Sequence, residues 1–283
     1  MTALDKLRGA VRSDPRYRHA HNHIAAFAHR LSGWQPPEGQ VHWLFIATFP
    51  NGGSTALAQL LSTASAAIQL SYNGEGQILI EHMFAKDRWN PDMPIDWDLV
   101  RAIWLRQLRL TGKFPCLVIE KSPASMVRMR TLRAQFSDMH TSLVIYTRDP
   151  YAVCSSWAYR YRAAELKDPD CDRVKLFEEQ GQRYAKLALH LEALRDEAKY
   201  VFSYEELADD KQKVLSRLKE VEPMLHDVDM DAKLRVKDYE PQPLKNMNER
   251  QIAKLSAEEI DAITRTLEPA RDVIEKFGYA LRT

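Results

Sequence analysis

The chain has 283 residues, 45% of them hydrophobic, with 40 Lys and Arg against 39 Asp and Glu for a formal charge of +1. A chain of this length buries roughly two-thirds to three-quarters of its unfolded surface, so it needs neither disulfides nor oligomerisation to fold. Balanced charge excludes a global field that would draw nucleic acid or an anionic membrane, so any anion site has to be local.

The first residues, MTALDKLRGAVRSD, carry charges and no apolar stretch of signal-peptide length, so secretion is not expected. The most apolar windows, such as VHWLFIA, fall well short of the ~20 residues that cross a bilayer. Cys116, Cys154 and Cys171 are odd in number and lack CxxC spacing, which predicts reduced thiols in a cytoplasmic protein. Residues 3–31 have near-helical apolar spacing, interrupted at Pro15, and run into the Pro- and Gly-rich loop SGWQPPEGQ. Residues 1–40 are therefore expected to form a helical preamble to one α/β domain over 41–283. Of its histidines only His19 and His23 have the i,i+4 spacing of a helical ligand pair, and without a third ligand no metal is expected.

From Val41 the pattern changes to short apolar runs separated by amphipathic stretches. Residues 41–47, 116–120, 142–147 and 200–203 read as buried parallel strands. The segments STALAQLLSTA, VRMRTLRAQF and Asp172 to Lys199 read as helices between them. This alternation predicts a central parallel β-sheet flanked by helices, with ligands at the carboxyl ends of the strands. From Tyr204 on the chain is expected to be mostly helical, with a polar loop around KDYEPQPLKNMNERQ.

The first strand enters TFPNGGSTALAQLL, a turn with Asn51, Gly52 and Gly53 followed by a helix that Ser54 is expected to cap. Backbone N–H groups at such a helix start, with Thr55 as a further donor, make an anion pocket. A nucleotide triphosphatase loop would place a lysine before the hydroxyl residue, and Gly53 is followed directly by Ser54. The second anchor is SLVIYTRDPYAVCSSW, in which a buried strand ends at Arg148 and a helix begins at Pro150 and carries Ser156. An arginine at a strand end grips phosphate bidentately, and a serine two turns on donates to the same oxygens.

These blocks resemble the PAPS-dependent sulfotransferase family (PAPS, 3′-phosphoadenosine 5′-phosphosulfate), which has a P-loop-NTPase-like fold. The loop is similar to the family's TYPKSGTT or PRSGTT at Thr48, Phe49, Pro50, Gly53, Ser54 and Thr55. Asn51 stands where the family has Lys or Arg, and Gly52 where it has Ser. Arg148 and Ser156 match its 3′-phosphate motif, and EKSP resembles its KSP segment, where Lys121 would neutralise the leaving phosphate. FSYEELADD resembles the YEDL element, which implies that Tyr204 meets adenine, and FGY at Phe277 to Tyr279 is also family-like. In YNGEGQILIEHM, Glu75 is the candidate base, by resemblance to the protein-tyrosine sulfotransferases, with Glu81 and His82 as alternatives. Lys245, in the polar loop, is placed over the cofactor.

The resemblance implies transfer of a sulfuryl group from PAPS to a small-molecule, glycan or peptide acceptor, with release of PAP and no metal. Trp89, Trp97, Trp104, Tyr159 and Tyr161 are either acceptor-pocket or core residues. Two alternatives stay open: a non-catalytic PAP or PAPS binder, suggested by Asn51, and an ATP-using P-loop kinase, which would need a loop lysine and a magnesium site.

Overall fold

The computed structural model describes residues 15–235 and 240–282. Strands β1 (Val41–Thr48), β2 (Ala67–Ile68), β3 (Cys116–Glu120), β4 (His140–Thr147) and β5 (Tyr200–Ser203) form one parallel sheet in the order β2-β3-β1-β4-β5. The chain forms helices α1 (Pro15–Leu31), α2 (Ser54–Leu61), α3 (Trp97–Thr111), α4 (Met129–Ala134), α5 (Pro150–Tyr161) and α6 (Arg173–Glu192). After β5 come α7 (Tyr204–Asp209), α8 (Lys211–Val221), α9 (Asn248–Ile252), α10 (Ala257–Leu267) and α11 (Arg271–Lys276).

The apolar runs are continuous because both faces of the sheet are covered. Successive side chains of a strand point to opposite faces. On β1, Trp43, Phe45 and Ala47 enter a core with α1, α3, α5, α6 and α10, whereas Leu44 and Ile46 enter a second core with α2, α7 and α8. Capping side chains start several helices at defined residues: Asp96 accepts from Leu99 N, Asp149 from Ala152 N and Asp172 from Lys175 N. Ser203 with Glu206, and Ser256 with Glu259, form reciprocal capping boxes.

Central β1 has β3 on one side and β4 on the other, so the chain's connections diverge there. Such a switch point opens a crevice at the carboxyl ends of the strands. Here it lies between Thr48, Glu120 and Thr147, the last residues of β1, β3 and β4.

The four anticipated strands are present, β4 beginning at His140 rather than Ser142. Two elements carry no strong sequence signal: the two-residue β2 and α3, whose tryptophans serve packing. Pro15, read as an interruption, begins α1, where its fixed φ suits the first helical position; residues 3–14 of that predicted helix lie outside the described residues. Part of the anticipated polar loop is helical, as α9, and positions 237–239 of it are not described. His19 and His23 stack edge to face, 4.4 Å between ring centroids. Among the described residues the one grouping of three possible ligand side chains is instead His42, His140 and Glu222, at the opposite end of β1 and β4 from the crevice. No described helix is long and apolar enough to cross a membrane.

Candidate active site

The crevice is a cleft of about 640 Å³, lined by Asn51, Gly53, Ser54, Thr55, Glu75, Lys121, Arg148, Ser156, Tyr204 and Lys245, among others. Nine of the anticipated site residues and the candidate base thus meet in one cavity, of a size ordinary for small-ligand sites. Gly52, though in the loop, is absent from the lining and turns the chain instead, its N–H bonding Phe49 O at 3.0 Å.

At the phosphate loop one expectation is corrected. Ser54 does not cap α2; it is the first helical residue, and the cap position belongs to Gly53, at φ 91°, with no side-chain cap bond. A serine cap would spend its oxygen on the first amides of the helix. A glycine cap leaves those amides, which have no intrahelical acceptors, to an incoming anion. Any other residue at Gly53 would be strained by its left-handed φ, and a Cβ there would lie 2.5 Å from the Tyr204 ring. Asn51 is also left-handed, at φ 55°, a conformation that Asn tolerates better than Lys or Arg. This backbone requirement gives a physical reason for Asn at that place.

Lys121 leaves the buried end of β3 and is only 1% exposed. Its Nζ donates to Glu75 Oε1 at 2.7 Å and to Thr55 Oγ1 at 3.1 Å, joining the phosphate loop to the candidate base. Burial pulls the Lys121 pKa below the ordinary ammonium value, opposed by the Glu75 charge. Glu75, 19% exposed, also accepts from Gln77 Nε2 at 2.9 Å, so it is held in place on both oxygens. It is not the solvated carboxylate of a free turn.

The hold on Glu75 comes from a residue that the sequence reading missed. Glu120, 1% exposed, accepts from Gly76 N and Ser122 N, both at 2.8 Å. Ser122 Oγ accepts from Gln77 N at 3.0 Å, and Lys121 N donates to Gly74 O at 2.8 Å. The segment 74–77 is therefore tied to the end of β3 along its length. Gly76 approaches so closely that a Cβ would lie 2.6 Å from both Glu120 and Trp104. Burial raises the Glu120 pKa to about 7, against the lowering effect of its hydrogen bonds. The one available signal was an acidic residue closing the otherwise apolar run CLVIE.

Arg148, 6% exposed at the end of β4, does not pair with Asp149, which caps α5. Its Nε donates to Asn248 Oδ1 at 2.8 Å and its NH1 to Asn51 O at 3.0 Å, and the guanidinium lies 4.3 Å from the Tyr204 ring centroid. Asn248, unmarked in the sequence, is fixed in turn by Glu205. The Tyr204 hydroxyl donates to Lys245 O and accepts from Met247 N at 3.1 Å, which ties the segment after residue 240 to the phosphate loop. Tyr279, in FGY, donates to Glu205 Oε2 at 2.9 Å, in the same polar cluster. Trp157 Nε1 donates to Pro50 O at 2.6 Å and steadies the loop from α5.

Not every candidate reaches the cleft. Glu81 and His82 do not line it; burial lowers the His82 pKa, opposed by the carboxylates of Asp96 and Glu81. Of the aromatics, Trp104 is fully buried in the core, Trp97 packs against that core, and Trp89 and Tyr161 line the cleft. Arg88, Arg160 and Arg183, which nothing in their local sequence singles out, line it as well.

The site thus combines a parallel sheet with a glycine-capped anion loop at its switch point, a strand-end arginine and a buried Lys–Glu pair. The chain belongs to the sulfotransferase domain family, whose sequence profile matches residues 42–222, more than half of its length. In fold it is similar to the sulfotransferase STF9 from Mycobacterium avium, with TM-score 0.58 and 15% identity over 94% of this chain and 83% of that one. It also matches a sulfotransferase domain from the curacin biosynthetic pathway, with TM-score 0.47 and 14% identity over 88% of this chain and 100% of that one. No curated protein matches the sequence.

Proposed function

We propose that this chain transfers a sulfuryl group from PAPS to a hydroxyl or amine of an acceptor and releases PAP. The observation that carries the reading is Lys121, which bridges the phosphate-loop Thr55 and the carboxylate of Glu75 on the cleft floor. A cation for the leaving phosphate and a base for the acceptor thus stand side by side, with no further rearrangement required to join them.

The residues present fit the donor. Gly53 forms a cradle that a Cβ would fill, and the first amides of α2 with Thr55 and Lys121 would hold the 5′ end. Arg148 and Ser156 would take the 3′-phosphate, and Tyr204 with the segment around Lys245 the nucleoside. When bound, PAPS supplies the sulfuryl group on a phosphate leaving group. Two of the three Lys121 donors are engaged by Glu75 and Thr55, and the third is left for an oxygen of that phosphate. Glu75 accepts the proton of the acceptor, a contribution of about 10² to 10⁴-fold for a positioned general base. The buried ammonium acts in a water-poor site, where a fixed charge does more for a developing anion than it would in water. Free Cys116, Cys154 and Cys171 support a reducing, cytoplasmic setting for this activity.

Thermal unfolding with PAP and, separately, with ATP and magnesium tests the donor. PAP at ~100 times its dissociation constant is expected to add about 2.7 kcal/mol of stability. ATP with magnesium is expected to add much less, because Arg148 is committed to a 3′-phosphate. Equal shifts for the two would refute the PAPS reading. Tight PAPS binding with transfer to no acceptor in a broad panel would favour the non-catalytic binder.

A further inference from the structure

Among the described residues the cleft lining holds six basic side chains, three more than the donor assignment uses. Lys121, Arg148 and Lys245 are assigned to the donor, and among the described residues Glu75 is the one acidic side chain in the lining. Three further cations remain: Arg88, just after the turn His82–Phe84; Arg160, one helical turn beyond Ser156 on α5; and Arg183, on α6. No ion pair joins any of the three to a carboxylate among the described residues.

Arg183 is the most constrained of them. Its guanidinium lies 4.5 Å from the Trp157 ring centroid and 5.3 Å from that of Trp89. Burial, with the neighbouring positive charge of Arg88, lowers its pKa below the ordinary guanidinium value. Arg88 is held by NH1, which donates to Ala85 O at 3.0 Å, and its guanidinium lies 5.0 Å from the Phe84 ring centroid. The neighbouring guanidinium groups of Arg88 and Arg183, both half-buried and neither in an ion pair among the described residues, cost stability unless a ligand brings negative charge. Phe84, Trp89 and Tyr161 supply flat apolar surface in the same cavity.

Resting on the PAPS reading above, we infer that the acceptor is itself an anion: an alcohol, phenol or amine that also carries a carboxylate or a sulfate, gripped by Arg88, Arg160 and Arg183 while its body lies on the aromatic wall. The acceptor's acidic group then shares one cleft with the donor, and the hydroxyl to be sulfated reaches Glu75 in that same cleft. The net charge of +1 makes this a local device, so selection occurs within the cleft.

The test is equilibrium binding to the PAP-loaded protein of two matched pairs, 4-hydroxyphenylacetate against 4-hydroxyphenylacetamide and glucuronate against glucose. In at least one pair the acid is expected to bind about tenfold more tightly than its neutral twin, as charge-assisted hydrogen bonds require. Arg183→Met and Arg160→Met should each cut that preference severalfold and leave the affinity for PAP nearly unchanged. Arg160 is exposed, with its guanidinium over the Tyr161 ring, so its variant stays informative if Arg183→Met unfolds. Equal or undetectable binding of both twins in both pairs overturns the inference. So does a preference that both variants leave intact, or a loss of PAP affinity that places these arginines on the donor. A wild-type chain that binds no PAP overturns the donor assignment, whereas PAP binding without acid preference overturns only the anionic acceptor.

Discussion

Replacing Lys121 with methionine removes one charge from a pair whose ammonium is 1% exposed and whose carboxylate, on Glu75, is 19% exposed. Breaking a fully buried pair by deleting one partner costs about 3 to 5 kcal/mol. Glu75 keeps Gln77 and some solvent, so the expected loss for Lys121→Met is about 2 to 3 kcal/mol. Glu75→Gln is the harsher change for the fold, because the amide oxygen can still accept from Lys121 but no longer neutralises the buried ammonium, and it should approach the full ~3 to 5 kcal/mol. The double variant buries neither charge, so its loss should fall short of the sum by about 2 kcal/mol or more. Urea unfolding followed by tryptophan fluorescence reads all four corners of this cycle. In single-turnover transfer Lys121→Met should be slower by about 10² to 10³-fold, the usual loss when a preorganised donor to a developing anion is removed. Stability losses that add to within ~0.5 kcal/mol would show that the two charges are not coupled. A rate loss under about tenfold would assign leaving-group neutralisation to another cation.

Glu120 links the site to pH. An ordinary glutamate titrates near 4.3, and Glu120 in the folded chain near 7, so between these values the folded state holds more protons than the unfolded one. Stability is therefore fully present at the low-pH end of this window and falls as pH rises through it, by roughly 4 kcal/mol in total. Glu120→Gln should flatten that slope in urea unfolding from pH 5 to 8, and an unchanged slope would place the titration elsewhere. Gly53→Ala should cost about 1 to 3 kcal/mol of stability through its left-handed φ and should also weaken PAP, because the Tyr204 ring that carries Arg148 has to move; calorimetry and melting check both. Asn51→Gly keeps the backbone at φ 55° and removes only the amide, so transfer should fall by the modest factor that about 0.5 to 1.5 kcal/mol represents. Arg148→Ala should weaken PAP by about ten- to hundredfold, the worth of a charge-assisted contact, and normal PAP binding by a folded variant would refute the 3′-phosphate assignment.

The parts of this protein readable from sequence are those encoded within a few consecutive residues. A buried strand, a turn and a helix start are local, so VHWLFIATFPNGGST and SLVIYTRDP announce both the sheet and the ends of its strands, where Thr55 and Arg148 emerge. Lys121 follows CLVIE for the same reason. What packing alone decides is which remote segments meet. Lys121 and Glu75 are 46 residues apart, and neither residue's neighbours state that the two will share a proton-tight contact. Gly53 is needed partly because Tyr204, 151 positions later, lies against it, so what reads as a serine-capped helix start is a glycine-capped one. Glu120 at the end of a strand, Asn248 at the start of α9, Arg88 in a turn region and Arg160 and Arg183 on two helices are each unremarkable in sequence. They become a brace, an anchor and a cationic cleft wall only when two helical layers close on the sheet, because burial and charge pairing belong to the packed chain and not to any one segment of it.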